Sequence, residues 1–375
     1  MKKMDSFDAI HLTTVHNPLD TRIFHKEIKS LTSAGFRIKY IAKSPPDIRI
    51  HNLEIDPLPM PRGKLERVTT LMQQAYAKIK STDAKILHIH DPELIPLALV
   101  FKRRGMKVIY DAHEDFPKQV MGKDWIPSFL KPPVSAAAYL LESLASKYFD
   151  AIVVANPPVI QKFPPKKTIL IRNLPILKRF EPVYNLVPYQ NRDKALIYVG
   201  KIGRIRSIRE IILALGLVSD VTLHLIGDFD DRTLFEEMQR LPGWSKVKYY
   251  GWQDYSQMIP LLAQARAGLA LLKPVPNFRT NIPVKVLEYM AAGLPVIASN
   301  FDSYWKKIFD ETGAGILVSP DDPSEIASAI RWLFSHPDVA EEMGRRGRNY
   351  VFKNCSWEHE STKLVSLYKK LLKNM

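Results

Sequence analysis

Lys285 and Glu288 stand three residues apart in the stretch FRTNIPVKVLEYMAAGLPVIAS, residues 278–299. On a helix that spacing puts an ammonium and a carboxylate on one face, as a surface ion pair or as two arms of a binding site. The apolar company of Val286, Leu287, Tyr289 and Met290 favours a cleft wall over an open surface. Pro283 marks the expected first helical position, Gly293 the stop, and a strand over 295–298 follows at once. Thr280, Asn281 and Ile282 lead into the helix N-terminus, where free backbone N–H groups bind anions. Glu288, further along the helix, can hold a sugar diol beside that anion. Phosphate plus ribose spells a nucleotide.

A second anion-friendly loop reads Gly200-Lys-Ile-Gly-Arg-Ile-Arg206, between an apolar run and a helix-like segment. Gly200 lets the backbone approach a ligand, and Lys201, Arg204 and Arg206 can neutralise a diphosphate. It is neither a GxGxxG fingerprint nor a P-loop, and alone it could equally be a solvated basic loop. Its weight comes from lying in the same half of the chain as the Pro283 helix. In the other half, His113 follows the run ending YDAHED and can donate to an anionic leaving group or a sugar hydroxyl. His16, Asp20 and Arg22, in a glycine-free loop after the first apolar run, are placed to face an acceptor, with helix capping the alternative for Asp20. His88, His90, Asp91 and Glu93 in HIHDPEL could be imagined as a metal cluster, but their loop partners are unconstrained and no metal is expected.

These residues need strand ends to hold them. Apolar runs at 9–12, 38–42, 86–90, 107–110 and 151–155 alternate with helix-like spacing at 22–33, 65–80, 94–103 and 133–147. A second series runs through 196–199, 221–226, 247–250, 268–272, 295–298 and 315–318, with an amphipathic helix over 356–372 closing the chain. Repeated βα units predict an α/β protein of two doubly wound, Rossmann-like domains facing a central cleft. The domains are expected at 1–175 and 195–357, joined by a Pro-rich linker at 176–194, with the last helix, 358–375, returning to the first domain.

Composition narrows the company. With 46% apolar and 25% charged residues over 375 positions the chain is globular and long enough for two cores. One cysteine, Cys355, excludes a disulfide framework and a cysteine zinc site, and points to a reducing, cytoplasmic setting. The N-terminus does not read as a signal peptide, and no apolar run is long enough to span a membrane. The net charge of +15 suits a plain basic enzyme or an anionic partner. No RNP motif or Cys/His finger is present, so nucleic acid is not expected. Trp125 and its apolar, lysine-flanked neighbours suit an anionic membrane surface.

The strings VIYDAHE, YVGKIGRIRSI, LHLIGD, VKYYGW and PVKVLEYMAAGLPVIAS together resemble glycosyltransferase family 4, retaining enzymes of the GT-B fold. HNPLDTRIFHKE and HDPEL resemble its bacterial surface-polysaccharide branch, which builds lipopolysaccharide, capsule or exopolysaccharide. The resemblance implies a donor nucleotide sugar, UDP-linked before GDP-linked, no metal or other cofactor, and a glycan or lipid-linked acceptor. It implies work in the cytoplasm or on the inner face of the membrane. It assigns Glu288 to the ribose hydroxyls, Lys201 and Arg206 to the diphosphate, and His113 to the region of the donor phosphate and anomeric carbon. The family's paired glutamate, eight positions before Glu288, is here Thr280. Two other readings of the same chain are a non-hydrolysing nucleotide-sugar epimerase and a non-catalytic basic module for membranes or nucleic acid.

Overall fold

The computed structural model describes residues 6–44, 55–61, 63, 66, 69–122 and 126–374, with the backbone alone for Asn277 and Thr280. Trp125 therefore lies outside the described residues, as do several at the start of the helix expected over 65–80, which is described from Thr70 to Lys80. The chain divides into two compact units, Met1–Asn173 with Trp357–Met375, and Leu174–Ser356.

The first unit is built on a seven-stranded parallel sheet in the order β3-β2-β1-β4-β5-β6-β7. Its strands are β1 Ser6–Leu12, β2 Ile38–Lys43, β3 Ile55–Leu58, β4 Asp83–Ile89, β5 Lys107–Ala112, β6 Ala151–Val154 and β7 Thr168–Leu170. The central strands are apolar on both faces because helices cover both sides of a parallel sheet. Ile10, Leu12, Leu87, Ile89 and Tyr110 bury one of those faces against Phe149 and its neighbours. β3 and β7 were not expected from sequence. They are short strands at the two sheet edges, half exposed along most of their length; β3 is interrupted by Asp56 and Pro57, and β7 is only three residues long. The helix expected over 22–33 opens instead with a π-helical turn, Ile23–Ile28, before an α-helical turn, Lys29–Ser33.

The second unit carries a six-stranded parallel sheet, β10-β9-β8-β11-β12-β13. These are β8 Ala195–Val199, β9 Thr222–Ile226, β10 Val247–Gly251, β11 Ala267–Ala270, β12 Val296–Ser299 and β13 Gly315–Val318. Read from its own first strand the order is 3-2-1-4-5-6, the doubly wound arrangement that binds ligands where the order reverses. Alternate residues of each strand enter different cores, Ile197 packing with Leu287 and Met290, and Leu196 and Tyr198 with Ile211 and Ile330. The segment 176–194, expected as a linker, packs into this unit with Phe180, Val183 and Tyr189 buried. Its apolar side chains are spaced by short 3-10 and helical turns, which leave no readable period.

The final helix, Trp357–Lys373, belongs to the first unit. Buried Glu360 accepts from the Arg172 backbone N–H and guanidinium and from Lys363. Trp357 donates its indole N–H to Ser30.

Candidate active site

In the second unit the site begins where β8 ends. The Val199 N–H donates to the Tyr289 hydroxyl at 2.7 Å, and the chain then turns at Gly200 with φ +112°. Gly227, at the end of β9, has φ +131°, and a Cβ there would overlap the Gly200 carbonyl oxygen. The two strand ends can approach this closely only as glycines.

Lys285 lies beside that turn. A Cβ on Gly200 would meet its Nζ at 3.5 Å, and the ammonium stands 3.7 Å from the centroid of the Tyr198 ring. Nζ is buried and has no hydrogen-bond partner. Burial and then the charge of Arg206 drive the Lys285 ammonium well below its usual pKa, against the pull of Glu288. A buried amine and a half-buried guanidinium share one spot with too little negative charge, an arrangement that a diphosphate would relieve.

The helix Val284–Ala291 carries Lys285 and Glu288 and runs as expected, except that Pro283 precedes its first turn as the cap residue. It ends in a Schellman motif: Gly293 at φ +72° donates to the Met290 carbonyl, and Leu294 donates to that of Tyr289. Glu288 is nearly buried and accepts a 2.6 Å hydrogen bond from Tyr255. The Arg179 guanidinium lies 4.2 Å from the Tyr255 ring centroid. Tyr255, Tyr198 and Arg179 were not foreseen as site residues, because each comes from a segment read only as strand, helix start or linker.

The loop after Gly200 is divided in its loyalties. Arg206 turns inward, near enough for its charge to bear on Lys285, with its guanidinium 5.8 Å from the centroid of Phe278. Lys201 is largely exposed and pairs with Asp230 at 2.7 Å. Arg204 is exposed and pairs with Glu237 at 2.7 Å, on the outside of the unit. Thr280 ends the helical turn Pro276–Thr280, and Asn281, Ile282 and Pro283 lead half-buried into the Lys285 helix.

In the first unit the expected residues gather around a buried carboxylate that was not singled out. Asp111, at the end of β5, takes two hydrogen bonds from Arg22, Nε to Oδ2 at 2.9 Å and the second arm to Oδ1 at 2.8 Å. His113 Nε2 lies 2.9 Å from the same Oδ2, and His90 Nδ1 lies 3.4 Å from it. Burial works against ionisation of Asp111, but Arg22 and His113 hold it well below the ordinary carboxylate range. Arg22, expected to face an acceptor, is instead buried, with Asp111, Glu27 and the Ile171 carbonyl as partners.

His16 and Asp20 do lie partly open, 28% and 27% exposed, with Nδ1 to Oδ2 at 3.4 Å. Burial lowers the His16 pKa, but the hydrogen bond to Asp20 and the charge of Asp91 outweigh it and raise it above 6.5. Asp20 is pushed down in turn, against burial, by its bond to His16 and that residue's charge. Asp20 Oδ1 also accepts from the N–H groups of Arg22 and Ile23, which is the capping role. The His16 and His113 rings are 4.9 Å apart. Asp91 fixes this loop by accepting from the Thr13 hydroxyl and from the N–H groups of Thr14 and Val15.

Comparison with known proteins bears on the second unit first. Residues 193–336 match the family model described as Glycosyl transferases group 1. The O-antigen chain mannosyltransferase B of Escherichia coli is 26% identical over 207 residues, 53% of this chain and 49% of that one. The match spans about half the length, or less, of the first curated relatives, 42% in the case of a glycogen synthase of Mycobacterium tuberculosis, whereas a phosphatidyl-myo-inositol mannosyltransferase of Mycolicibacterium smegmatis is matched over 86% of its length at 20% identity.

The fold likeness extends over nearly the whole chain. A sucrose-phosphate synthase from Thermosynechococcus elongatus has a TM-score of 0.77 at 18% identity, covering 99% of this chain and all of that one. HepE of Anabaena, solved with UDP-glucose, has a TM-score of 0.72 at 12% identity over 98% of this chain and 100% of its own. The fold is GT-B, with two Rossmann-like units.

Proposed function

We propose that this protein is a retaining glycosyltransferase that moves a sugar from a nucleotide-diphosphate donor to a glycan or lipid-linked acceptor in surface-polysaccharide synthesis. The observation that carries the reading is the buried Lys285 ammonium, without a hydrogen-bond partner, reinforced by Arg206 and facing the Gly200 turn. A donor diphosphate meets the two cations and the N-terminus of the Val284–Ala291 helix. Glu288, held through one oxygen by Tyr255, has its other oxygen for the ribose diol. Lys201 at the rim adds a third cation once it leaves Asp230.

In the step itself the acceptor hydroxyl oxygen bonds to the anomeric carbon as the bond from that carbon to the phosphate oxygen breaks. The departing phosphate takes the hydroxyl proton on the same face, which retains configuration. Lys285 and Arg206 stabilise the growing diphosphate charge where it develops, so no metal is needed at this site. His113, held by Asp111, is the first unit's donor to an anionic or hydroxyl oxygen. His16 and Asp20, the partly open pair beside it, serve the acceptor.

UDP is the first choice of base, supported by the UDP-glucose carried by a protein of the same fold. A cytoplasmic protein working on the membrane face fits the apolar surface of the helix Lys131–Tyr148 and the turn before it. Phe129 is 78% exposed, with Tyr139, Leu140, Leu144 and Tyr148 also exposed beside Lys131 and Lys147. Among the described residues no helix is long and apolar enough to cross a membrane.

The deciding experiment is a thermal-shift and calorimetry panel of UDP-, GDP- and dTDP-sugars. One class should raise Tm with the logarithm of its concentration. The same donor should stay unchanged when no acceptor is present, which separates transfer from epimerisation. If no nucleotide sugar binds while anionic vesicles or oligonucleotides do, the enzyme reading fails.

A further inference from the structure

Deeper in the first unit than His113 lies a constellation that sugar transfer does not use. His11 of β1 and His88 of β4 are partners in parallel register, and His90 follows two residues after His88 on the same face. The three rings cluster, with centroids 4.5 Å apart for His11 and His88, whose planes are tilted by 50°, and 5.1 Å for His11 and His90 and 4.6 Å for His88 and His90, which stack. The π-helical turn Ile23–Ile28 brings Glu27 to them. One ligand atom from each of His11, Glu27, His88 and His90 lies within 4.8 Å of all the others, and all four residues are buried.

The unsatisfied atoms point the same way. His88 Nε2 is buried with no hydrogen-bond partner, and the buried Glu27 carboxyl has no neutral donor, only the Arg22 guanidinium and the Asp111 carboxylate beside it. Glu27 Oε1 lies 3.0 Å from Arg22 Nε, but that N–H donates to Asp111. The remaining ring nitrogens are held from outside. The Tyr368 hydroxyl is 2.8 Å from both His11 Nε2 and His88 Nδ1, and His90 Nδ1 faces Asp111 and His113. Oxygen and carboxylate partners on the outer nitrogens are how proteins orient metal-binding imidazoles. The facing nitrogens, His11 Nδ1 and His90 Nε2, stand 2.9 Å apart. Ligands about 2.0 Å from a tetrahedral ion are separated by about 3.3 Å, which the 2.9 Å pair and the 4.8 Å outer bound bracket.

We propose that His11, Glu27, His88 and His90 form a closed, tetrahedral site for one divalent transition-metal ion, zinc before others. Three imidazoles and one carboxylate suit zinc and its neighbours, and exclude magnesium and calcium, which want oxygen. With four protein ligands no position is left for substrate, so the ion is structural. It ties β1, β4 and the Glu27 turn together and, through Tyr368, fixes the seat of the final helix.

The test uses the untagged full-length protein, dialysed and loaded with zinc or cobalt(II) chloride. One equivalent of zinc should survive gel filtration, cobalt should give the intense visible d–d absorption of a tetrahedral site, and magnesium should do neither. His88→Gln and Glu27→Gln should each lower retained zinc at least tenfold, whereas H336Q, at an exposed histidine, should leave it unchanged. A wild-type protein with no cobalt absorption and no retained zinc overturns the proposal. So does a folded His88→Gln, Glu27→Gln double variant that binds as the wild type does. The cobalt spectrum of the wild type needs no variant and decides the matter even if the variants fail to fold.

Discussion

Arg22 and Lys285 are both buried cations at strand-end sites, and they are treated in opposite ways. Arg22 is answered by Asp111 through two hydrogen bonds, by Glu27 at 3.0 Å and by a carbonyl. Lys285 has an aromatic face, a second cation in Arg206 and no hydrogen-bond acceptor. A compensated buried charge is part of a framework, and removing one member leaves the others stranded. An uncompensated one costs stability in the empty protein and is kept for a ligand that completes it. The first unit's site is thus prearranged, and the second unit's site is waiting for an anion.

The largest effect expected from this contrast is on folding. Arg22→Met strands Asp111 and should destabilise the protein by about 3–5 kcal/mol, read as a lower denaturant midpoint. Lys285→Met should do the reverse in the absence of donor. It removes a buried amine that has no hydrogen-bond partner and should raise the midpoint, while weakening nucleotide-sugar binding about 100-fold, about 2.7 kcal/mol. Equal destabilisation by the two variants would erase the distinction. The proton count sharpens it. An anion beside Lys285 restores its depressed pKa, so donor binding above the depressed value should take up a proton, seen as a dependence of calorimetric heat on buffer ionisation enthalpy. Next in size, Tyr255→Phe frees the Glu288 carboxylate without removing it. The lost bond to a charged acceptor is worth about 1.5–3 kcal/mol, and donor affinity should fall about tenfold with the fold intact.

The two sites also differ in how far the sequence revealed them. Gly200, Lys285 and Glu288 could be picked out because a turn, a short helix and a strand lie consecutively or in matching βα positions, so local punctuation carries the geometry. Arg204 was placed in the same site by its loop, but a loop has no fixed face, and its side chain pairs outward with Glu237. The first unit's network depends on long-range contacts. Tyr368 meets His88 across 280 positions, and Arg22 reaches Asp111 across 89, so neither partnership leaves a local pattern. Asp111 did carry a signal, since it lies two residues before His113 at the same strand end, but an apolar strand hides one polar member in its face. The sheets themselves were legible wherever both faces are buried, and were missed at β3 and β7, where only part of an edge strand is.

The smallest effect belongs to the rim of the first site, where compensation meets solvent. His16 has its pKa raised above 6.5, so its contribution to stability is full below 6.5 and is lost as pH rises through the raised value. Asp20 has its pKa lowered below 3.8, so its contribution is full above 3.8 and is lost as pH falls through the lowered value. The pair therefore stabilises the loop most between 3.8 and 6.5, where both members are charged in the folded protein. Because both side chains are partly open, screening holds the gain to under about 1 kcal/mol. His16→Gln should flatten the stability profile in that window and merge with the wild type well above it. The Asp20 bonds to the Arg22 and Ile23 N–H groups do not depend on His16, so the cap should survive that variant. Asp20→Asn keeps an oxygen for the same cap but removes the charge. If the two variants give the same pH profile, the ion pair sets the window; if only Asp20→Asn changes it, the carboxylate acts through the cap and the histidine is incidental.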